Sequence, residues 1–322
     1  MEKQPDKQRI FITGGAGFIG ANLTRYLLDN LKCTITVYDN LSTGSKVNLD
    51  KAIADSAKNG SAEFIEGDIL DFNTLNKAVT NHDAVVHLAA HTRVRESIKN
   101  PKENQTINSI GTFNVIETAR KQGVDKFVFA SSNAAVGEQK PPINEKMIPK
   151  PLSPYGAVKL YGEAICSAYY HSYGLKTVSL RFANAYGPYS DHKTSVIAKF
   201  LKRIKDGKQL EIYGDGKQTR DFIHAHDICQ AIYTIITHDN SSPAPWGEVF
   251  QIATGKETPI IDLANMIISL TDSPKNLITF APPIKGEIRK NFSDITKAKE
   301  ILAFSPKMKL HTELKVLCNG AG

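Results

Sequence analysis

Ser132, Tyr155 and Lys159 are the residues of this chain whose types and spacing best suit proton transfer. Tyr155 and Lys159 stand four apart in the run Ser153-Pro154-Tyr155-Gly156-Ala157-Val158-Lys159, which puts both side chains on one helix face. A free phenol ionises near ~10, too high for a base at neutral pH. A neighbouring ammonium stabilises phenolate, so Lys159 is expected to lower that value, and an oxidised nicotinamide would act the same way. A tyrosine and a lysine at this spacing are common on surface helices, so the pair gains meaning from Ser132. Its hydroxyl follows the β-rich run Lys126–Ala130 and can share a hydrogen bond with a substrate hydroxyl and the phenol.

The elements that must carry these groups follow from periodicity. Short β-rich runs occur at Arg9–Thr13, Thr34–Tyr38, Glu63–Ile65, Ala84–Leu88, Lys126–Ala130 and Thr177–Arg181. Helical patterns separate them at Ala21–Asn30, Leu75–Val79, Ile107–Gln122 and Tyr155–Tyr173. Strands alternating with helices predict an α/β fold, a Rossmann-type doubly wound parallel sheet covered on both faces. Ser132 then sits at the C-terminal edge of a central strand, where such sheets bind ligands. After Asn184 the pattern loosens, and a smaller mixed α/β lobe is expected. Ile228–Ile236 and Val249–Ile252 read as a helix and a strand returning to the main sheet. The expected division is 1–186 with 225–255 for the dinucleotide domain, and 187–224 with 256–322 for the substrate lobe.

Between the first strand and the first helix lies Thr13-Gly14-Gly15-Ala16-Gly17-Phe18-Ile19-Gly20. Gly14 suits a tight turn, Gly17 a close approach of backbone to a pyrophosphate, and Gly20 close helix–strand packing. The helix amino end offers N–H groups and partial positive charge to phosphates. Asp39 ends the second strand, where a carboxylate accepts from both ribose hydroxyls and repels a 2′-phosphate; the cofactor read from this is NAD rather than NADP. Asp68, after the third strand, is placed to accept from an adenine amino group.

Composition narrows the remaining classes. The 322 residues are 41% hydrophobic and 23% charged, ordinary for a globular protein. The apolar runs are too short for a membrane span, and Met1–Arg9 has no apolar export core, so a cytoplasmic location is expected. Cys33, Cys166, Cys229 and Cys318 are far apart with no CxxC pair, which argues against a zinc site or a disulfide framework; no metal is called for. The net charge is +7, but its densest cluster, Lys199 to Lys208, has the spacing of a solvated helix face, and no nucleic-acid partner is expected.

The motifs GGAGFIG, DNLSTG, GDI, HLAA, SS, SPYGAVK, RFANAYGP and YGDGKQTRDFIH together resemble the extended short-chain dehydrogenase/reductases, specifically the UDP-sugar 4-epimerases, over about residues 9 to 307. The resemblance implies a catalytic set of Ser132, Tyr155 and Lys159. It implies NAD contacts from Gly14, Gly17, Phe18, Ile19 and Gly20, from Asp39, Asn40, Ser42, Thr43 and Gly44, from Asp68 and Ile69, from the His87–Ala90 stretch (Leu88, Ala89, Ala90), and from Asn108, Tyr155, Lys159 and Phe182. It implies a UDP-sugar held by Asn184 and Arg220 at the diphosphate, by Ser195, Val196 and Tyr213 at the uracil, and by Glu287 at the ribose, with Ser132 and Asn133 at the sugar. It also implies a homodimer paired through the helices Ile107–Gln122 and Tyr155–Tyr173.

Some positions depart from that pattern. Val136 replaces a usual tyrosine, and Ile284 a usual diphosphate-binding arginine, with Lys285 beside it. Asn291 stands where some epimerases carry a bulky tyrosine, which leaves room for an N-acetyl group. Arg93 and Arg95 lie where the loop after the fourth strand reaches the sugar, and a charge-assisted bond from either would favour a uronate. The positions after Ser132 are Asn133 and Ala134; neither is the acid–base pair that dehydratases and decarboxylases of this kind use. The expectation is therefore C4 epimerisation of UDP-glucose and UDP-galactose by transient oxidation to a 4-keto sugar. UDP-N-acetylhexosamines, then UDP-glucuronate, then dehydratase or decarboxylase chemistry are the alternatives, and a catalytically silent NAD-binding regulator is the non-enzymatic one.

Overall fold

A computed structural model describes residues 7–57, 59–239, 243–283 and 288–320. A seven-stranded sheet organises it: β1 (Gln8–Thr13), β2 (Cys33–Asp39), β3 (Ser61–Glu66), β4 (Ala84–His87), β5 (Lys126–Ser132), β6 (Lys176–Phe182) and β7 (Glu248–Ile252). Their spatial order is β7-β6-β5-β4-β1-β2-β3, and every pairing is parallel. The chain reverses direction across the sheet between β1 and β4. That switch point opens a crevice outside the C-terminal strand ends. The returning helix and strand appear as Ala225–Ile236 and β7.

Side chains alternate across the sheet, as the pleat demands. Ile10 and Ile12 of β1 join one core with Leu23 and Leu27 of the helix α1 (Phe18–Asn30) and Ile228 and Ile232 of Ala225–Ile236. Phe11 points the other way, into a core with Val115 and Ile116 of α2 (Gly111–Lys121) and Cys166 and Tyr169 of α3 (Pro154–Tyr173). Both faces are thus covered, and the strands read as apolar runs.

The helix expected at Ile107–Gln122 begins earlier, at Pro101, and is interrupted by a π turn at Thr106–Ile110 before α2. Asn104 and Asn108 on that stretch both reach the backbone of His91. The expected helix Tyr155–Tyr173 is present as α3, and its ends are capped. Ser153 accepts from Gly156 N–H, Pro154 occupies the first turn, and Gly174 closes the helix in the left-handed conformation, the residue types those positions favour.

A third core unites Ile197 and Phe200 of α4 (Val196–Lys205), Leu210 and Ile212, Leu263 and Ile267 of α5 (Ile260–Leu270), and Leu314 of α6 (Leu310–Cys318). Small two-stranded pairs frame it: Asn184–Tyr186 with Phe222–His224, Leu210–Tyr213 with Ile278–Ala281, and Thr219–Arg220 with Thr258–Pro259. Ile295, Ala298, Leu302 and Phe304 pack back on the main-sheet core. No helix among the described residues is long and apolar enough to cross a membrane, and no cluster of metal-binding side chains occurs among them. All four cysteines are free thiols.

Candidate active site

The turn after β1 is built by its glycines. Gly14 has φ +69°, and a Cβ there would lie 2.5 Å from the Ala89 nitrogen, so both conformation and space demand glycine. A Cβ on Gly20 would lie 2.4 Å from Gly15 Cα. Gly20 therefore lets α1 pack on the turn itself, where a helix–strand contact was expected. No side chain caps the amino end of α1, leaving that end to the crevice.

A cavity of about 740 Å³ runs along the strand ends. Gly14, Gly17, Phe18, Ile19 and Gly20 line it at the turn, Asp39, Asn40, Ser42, Thr43, Asp68 and Ile69 beyond β2 and β3, and Leu88, Ala89 and Ala90 after β4. An uncapped helix end flanked by a carboxylate fits a dinucleotide: diphosphate at the first, ribose at the second. Asp39 is buried, and its two oxygens accept from the Ala16 and Leu41 N–H groups at 3.0 and 2.8 Å. Burial raises its pKa, against those two hydrogen bonds. Asp68 accepts from Asn40 and from the Leu70 N–H, which ties the two loops together.

Other residues named for the cofactor stand behind that wall. Gly44 packs on Ala16. Asn108 is buried, donating to the His91 carbonyl and accepting from its N–H, so it braces the loop. Phe182 ends β6 in register with Ser132. His87 bridges Thr13 and Thr112. Burial, then the Lys159 charge, pushes His87 down to about 3, so it stays neutral.

The catalytic set gathers at the ends of β5 and α3. The Tyr155 N–H donates to Ser97 Oγ at 3.2 Å, and Ser97 lines the cavity; the loop after β4 thus joins the start of α3 to the crevice. Ser132 hydrogen-bonds the Tyr155 side chain and accepts from the Ala134 N–H at 3.2 Å. Lys159 Nζ donates to the Ala130 carbonyl at 2.7 Å and lies 5.8 Å from the Tyr155 ring centroid.

One expectation is corrected here. Lys159 was to lower the Tyr155 pKa, yet burial pushes the phenol up to about 12, opposed by the Ser132 hydrogen bond. The ammonium's hydrogen bond goes to Ala130, and burial brings Lys159 itself down to about 8, against the attraction of Glu163. Desolvation outweighs the Ser132 hydrogen bond at the phenol and the Glu163 charge at the ammonium.

On the substrate side, Arg93, Arg95 and Ser195 line the cavity. Arg95 also stacks on Tyr213, 5.7 Å from its ring centroid, with Lys199 at 5.3 Å; two residues distant in sequence and named for the same ligand meet. The Tyr213 hydroxyl donates to Glu211. Arg220 donates to the Thr219 and Ile288 carbonyls, both at 2.8 Å. Asn184 is exposed, its N–H bonded to the Asp221 carbonyl. Val196 packs on the third core. Asn133 is buried, donating to Ser293 at 3.0 Å and Asn291 at 3.4 Å. Lys285 and Glu287 lie outside the described residues.

The sequence places the run from His91 to Ser97 at the cleft without giving Thr92 or Ser97 a role of its own, and sequence reasoning missed His192, Lys193 and Thr194, which also line the cavity. The run Asp191-His192-Lys193-Thr194-Ser195 just before α4 was the available signal, a polar cluster at a helix start. It also missed Glu163, which Arg181 holds by two hydrogen bonds under the catalytic edge.

The model of the NAD-dependent epimerase/dehydratase family matches residues 10–253. The chain is 36% identical over 316 residues to a putative UDP-glucose 4-epimerase of Methanocaldococcus jannaschii, covering 96% of this chain and 97% of the relative. It is similar to the crystal structure of a UDP-glucose 4-epimerase from Thermotoga maritima with UDP-glucose, at TM-score 0.88 and 35% identity, covering 97% and 98% of the two chains. It is also similar to a UDP-N-acetylglucosamine 4-epimerase from Methanobrevibacter ruminantium in complex with UDP-N-acetylmuramic acid, at TM-score 0.87 and 29% identity, with 97% of each chain covered.

Proposed function

The chain belongs to the NAD-dependent epimerase/dehydratase family, and within it we propose that this enzyme inverts C4 of a neutral UDP-hexose, interconverting UDP-glucose and UDP-galactose. The observation that carries this reading is what surrounds Ser132. Next to it stand Asn133, whose amide nitrogen is committed to Ser293 and Asn291, and Ala134. Neither can take or give a proton at neutral pH, so C5 and C6 of the sugar are left alone and only C4 changes.

Bound NAD supplies a reversible hydride acceptor and a positive charge that favours phenolate. Tyr155 removes the proton of the sugar 4-hydroxyl as C4 is oxidised, and Ser132 holds that oxygen. The 4-keto sugar turns over, and the phenol returns the proton as C4 is reduced from its other face. A phenol near 12 suits this return step. Lys159, on the same helix face, favours the phenolate in the forward step. Residues 1–186 with 225–255 carry NAD in this reading, and 187–224 with 256–322 the UDP-sugar.

Arg95 supports a neutral sugar over a uronate, because its guanidinium lies on Tyr213. The small Asn291 favours N-acetylhexosamines as the next substrates. The enzyme is a cytoplasmic homodimer in this reading, paired through α3 and the helix ending in α2, where Ile110, Phe113, Tyr161 and Tyr173 are exposed. Incubating the protein with NAD and a panel of UDP-sugars, followed by chromatography of the products, tests the assignment. Conversion of UDP-glucose to UDP-galactose is expected. Conversion of UDP-glucuronate alone, or release of a 4-keto-6-deoxy sugar, overturns it.

A further inference from the structure

Beneath the catalytic edge lies a buried ion pair that the reaction does not use directly. Arg181 of β6 donates from Nε and Nη2 to the two oxygens of Glu163 on α3, at 2.8 and 2.7 Å. The side chains are 3% and 4% exposed. Glu163 Oε1 also accepts from Ser131 Oγ at 2.5 Å. Ser131 sits between Ala130, whose carbonyl takes the Lys159 ammonium, and Ser132, which bonds the Tyr155 phenol. Glu163 is one helical turn beyond Lys159, as Lys159 is beyond Tyr155.

We infer that Glu163, clamped by Arg181, is a positioning residue for both halves of the proton-transfer site. Through Ser131 it fixes the end of β5, from which Ala130 and Ser132 address Lys159 and Tyr155. Through space, its negative charge holds Lys159 in the ammonium form. This inference rests on Tyr155 and Lys159 acting as the proton-transfer pair.

The surroundings of Lys159 leave the second task to Glu163. On α3 the ammonium has Tyr155 and Glu163 as ionisable neighbours. From β4 it faces His87, which is neutral, and from β5 the Phe129 ring and the Ala130 carbonyl. From β6 comes Arg181, which bonds Glu163, and of that pair it is the Glu163 charge that acts on Lys159. Burial alone opposes the ammonium, and the Glu163 attraction works against that burial. A geometry of this kind serves catalysis by locking the rotamers of the groups that react.

A buried pair can also be merely structural, and replacing both members by uncharged residues often leaves a fold intact. The double variant Glu163→Gln/Arg181→Met separates the two roles. Protein labelled with 13C at lysine Cε, with the Lys159 signal assigned by its loss in Lys159→Met, is titrated by NMR without cofactor or substrate. The Lys159 midpoint is expected to fall by about half a unit or more in the double variant. The alkaline limb of kcat for UDP-glucose should move down with it, while KM changes little. An unmoved midpoint in the folded variant overturns the electrostatic half. Ser131→Ala keeps every charge, so kcat should drop several-fold with the midpoint unchanged; an unaltered kcat overturns the geometric half. If the double variant does not fold, Glu163→Asp carries the same titration. Its shortened carboxylate should lower the midpoint, and no change counts against the proposal. Because the titration needs no sugar, its outcome is independent of which UDP-sugar the enzyme turns over.

Discussion

The two sides of the crevice are built differently. On the dinucleotide side, the groups that line the cavity come from one short stretch, Gly14 to Gly20, and from the residues at and just beyond the ends of β2, β3 and β4. Much of what they offer is backbone, and the carboxylate of Asp39 is set by the N–H groups of Leu41, two residues ahead of it, and of Ala16 in the glycine-rich turn. On the substrate side, the groups are long side chains drawn from remote segments, and several are already engaged with protein: Arg220 with two carbonyls, Tyr213 with Glu211 and beneath Arg95. A backbone site is rigid and shared by every ligand carrying the same diphosphate. A side-chain site must exchange protein partners for ligand, and it can be retuned residue by residue. On the proposed function, specificity for the sugar would therefore reside on the substrate side, and the chemistry on the seam between them, at Ser132 and Tyr155.

Three experiments sharpen or break that contrast. The largest effect is expected on the seam. Tyr155→Phe removes the proton carrier and leaves both walls intact, so NAD binding should persist while kcat falls about a hundredfold or more. Stopped turnover with retained NAD fluorescence quenching is the signature; near-normal turnover breaks the assignment. A smaller effect is expected from Asp39→Ala on the dinucleotide side. Losing a charged acceptor for the ribose costs about 1.5–3 kcal/mol, so NAD affinity should fall about tenfold or more. NADP, relieved of repulsion, should lose less. Equal losses for the two cofactors, measured by titration calorimetry, mean that the carboxylate does not read the ribose. The smallest effect belongs to Arg95→Ala. The contact with Tyr213 is worth about 0.5–1 kcal/mol at a partly exposed site, so KM for UDP-glucose should rise only a few-fold with kcat unchanged. A collapse of UDP-glucuronate turnover in this variant, with that sugar dominant in the parent, moves the substrate from neutral hexose to uronate.

Activity should also decline with rising pH from a neighbouring cause. Lys159 is held near 8 by burial, so the ammonium is present below that value and lost above it. Lys159→Met should lower kcat and remove the limb near pH 8, as read from a kcat profile between pH 6 and 10.

The amino-acid order by itself determined the sheet, because strand and helix periods, helix caps and glycine turns are local: β1 to β6, the ends of α3 at Ser153 and Gly174, and the placement of Asp39 all follow from neighbours a few residues away. It also determined which groups can move a proton, since Ser132, Tyr155 and Lys159 stand at the ends of elements whose order is dictated by parallel crossovers. What only the tertiary structure decided are quantities set by burial and by distant partners. The phenol is raised rather than lowered because desolvation at that depth exceeds the Ser132 hydrogen bond, while the Lys159 ammonium is turned to the Ala130 carbonyl. Arg95 meets Tyr213, Ser97 reaches the Tyr155 backbone, and Glu163 finds Arg181, contacts that no spacing along the chain encodes. Desolvation and long-range contact depend on what the rest of the fold places around a group, and that is known only once the layers have packed.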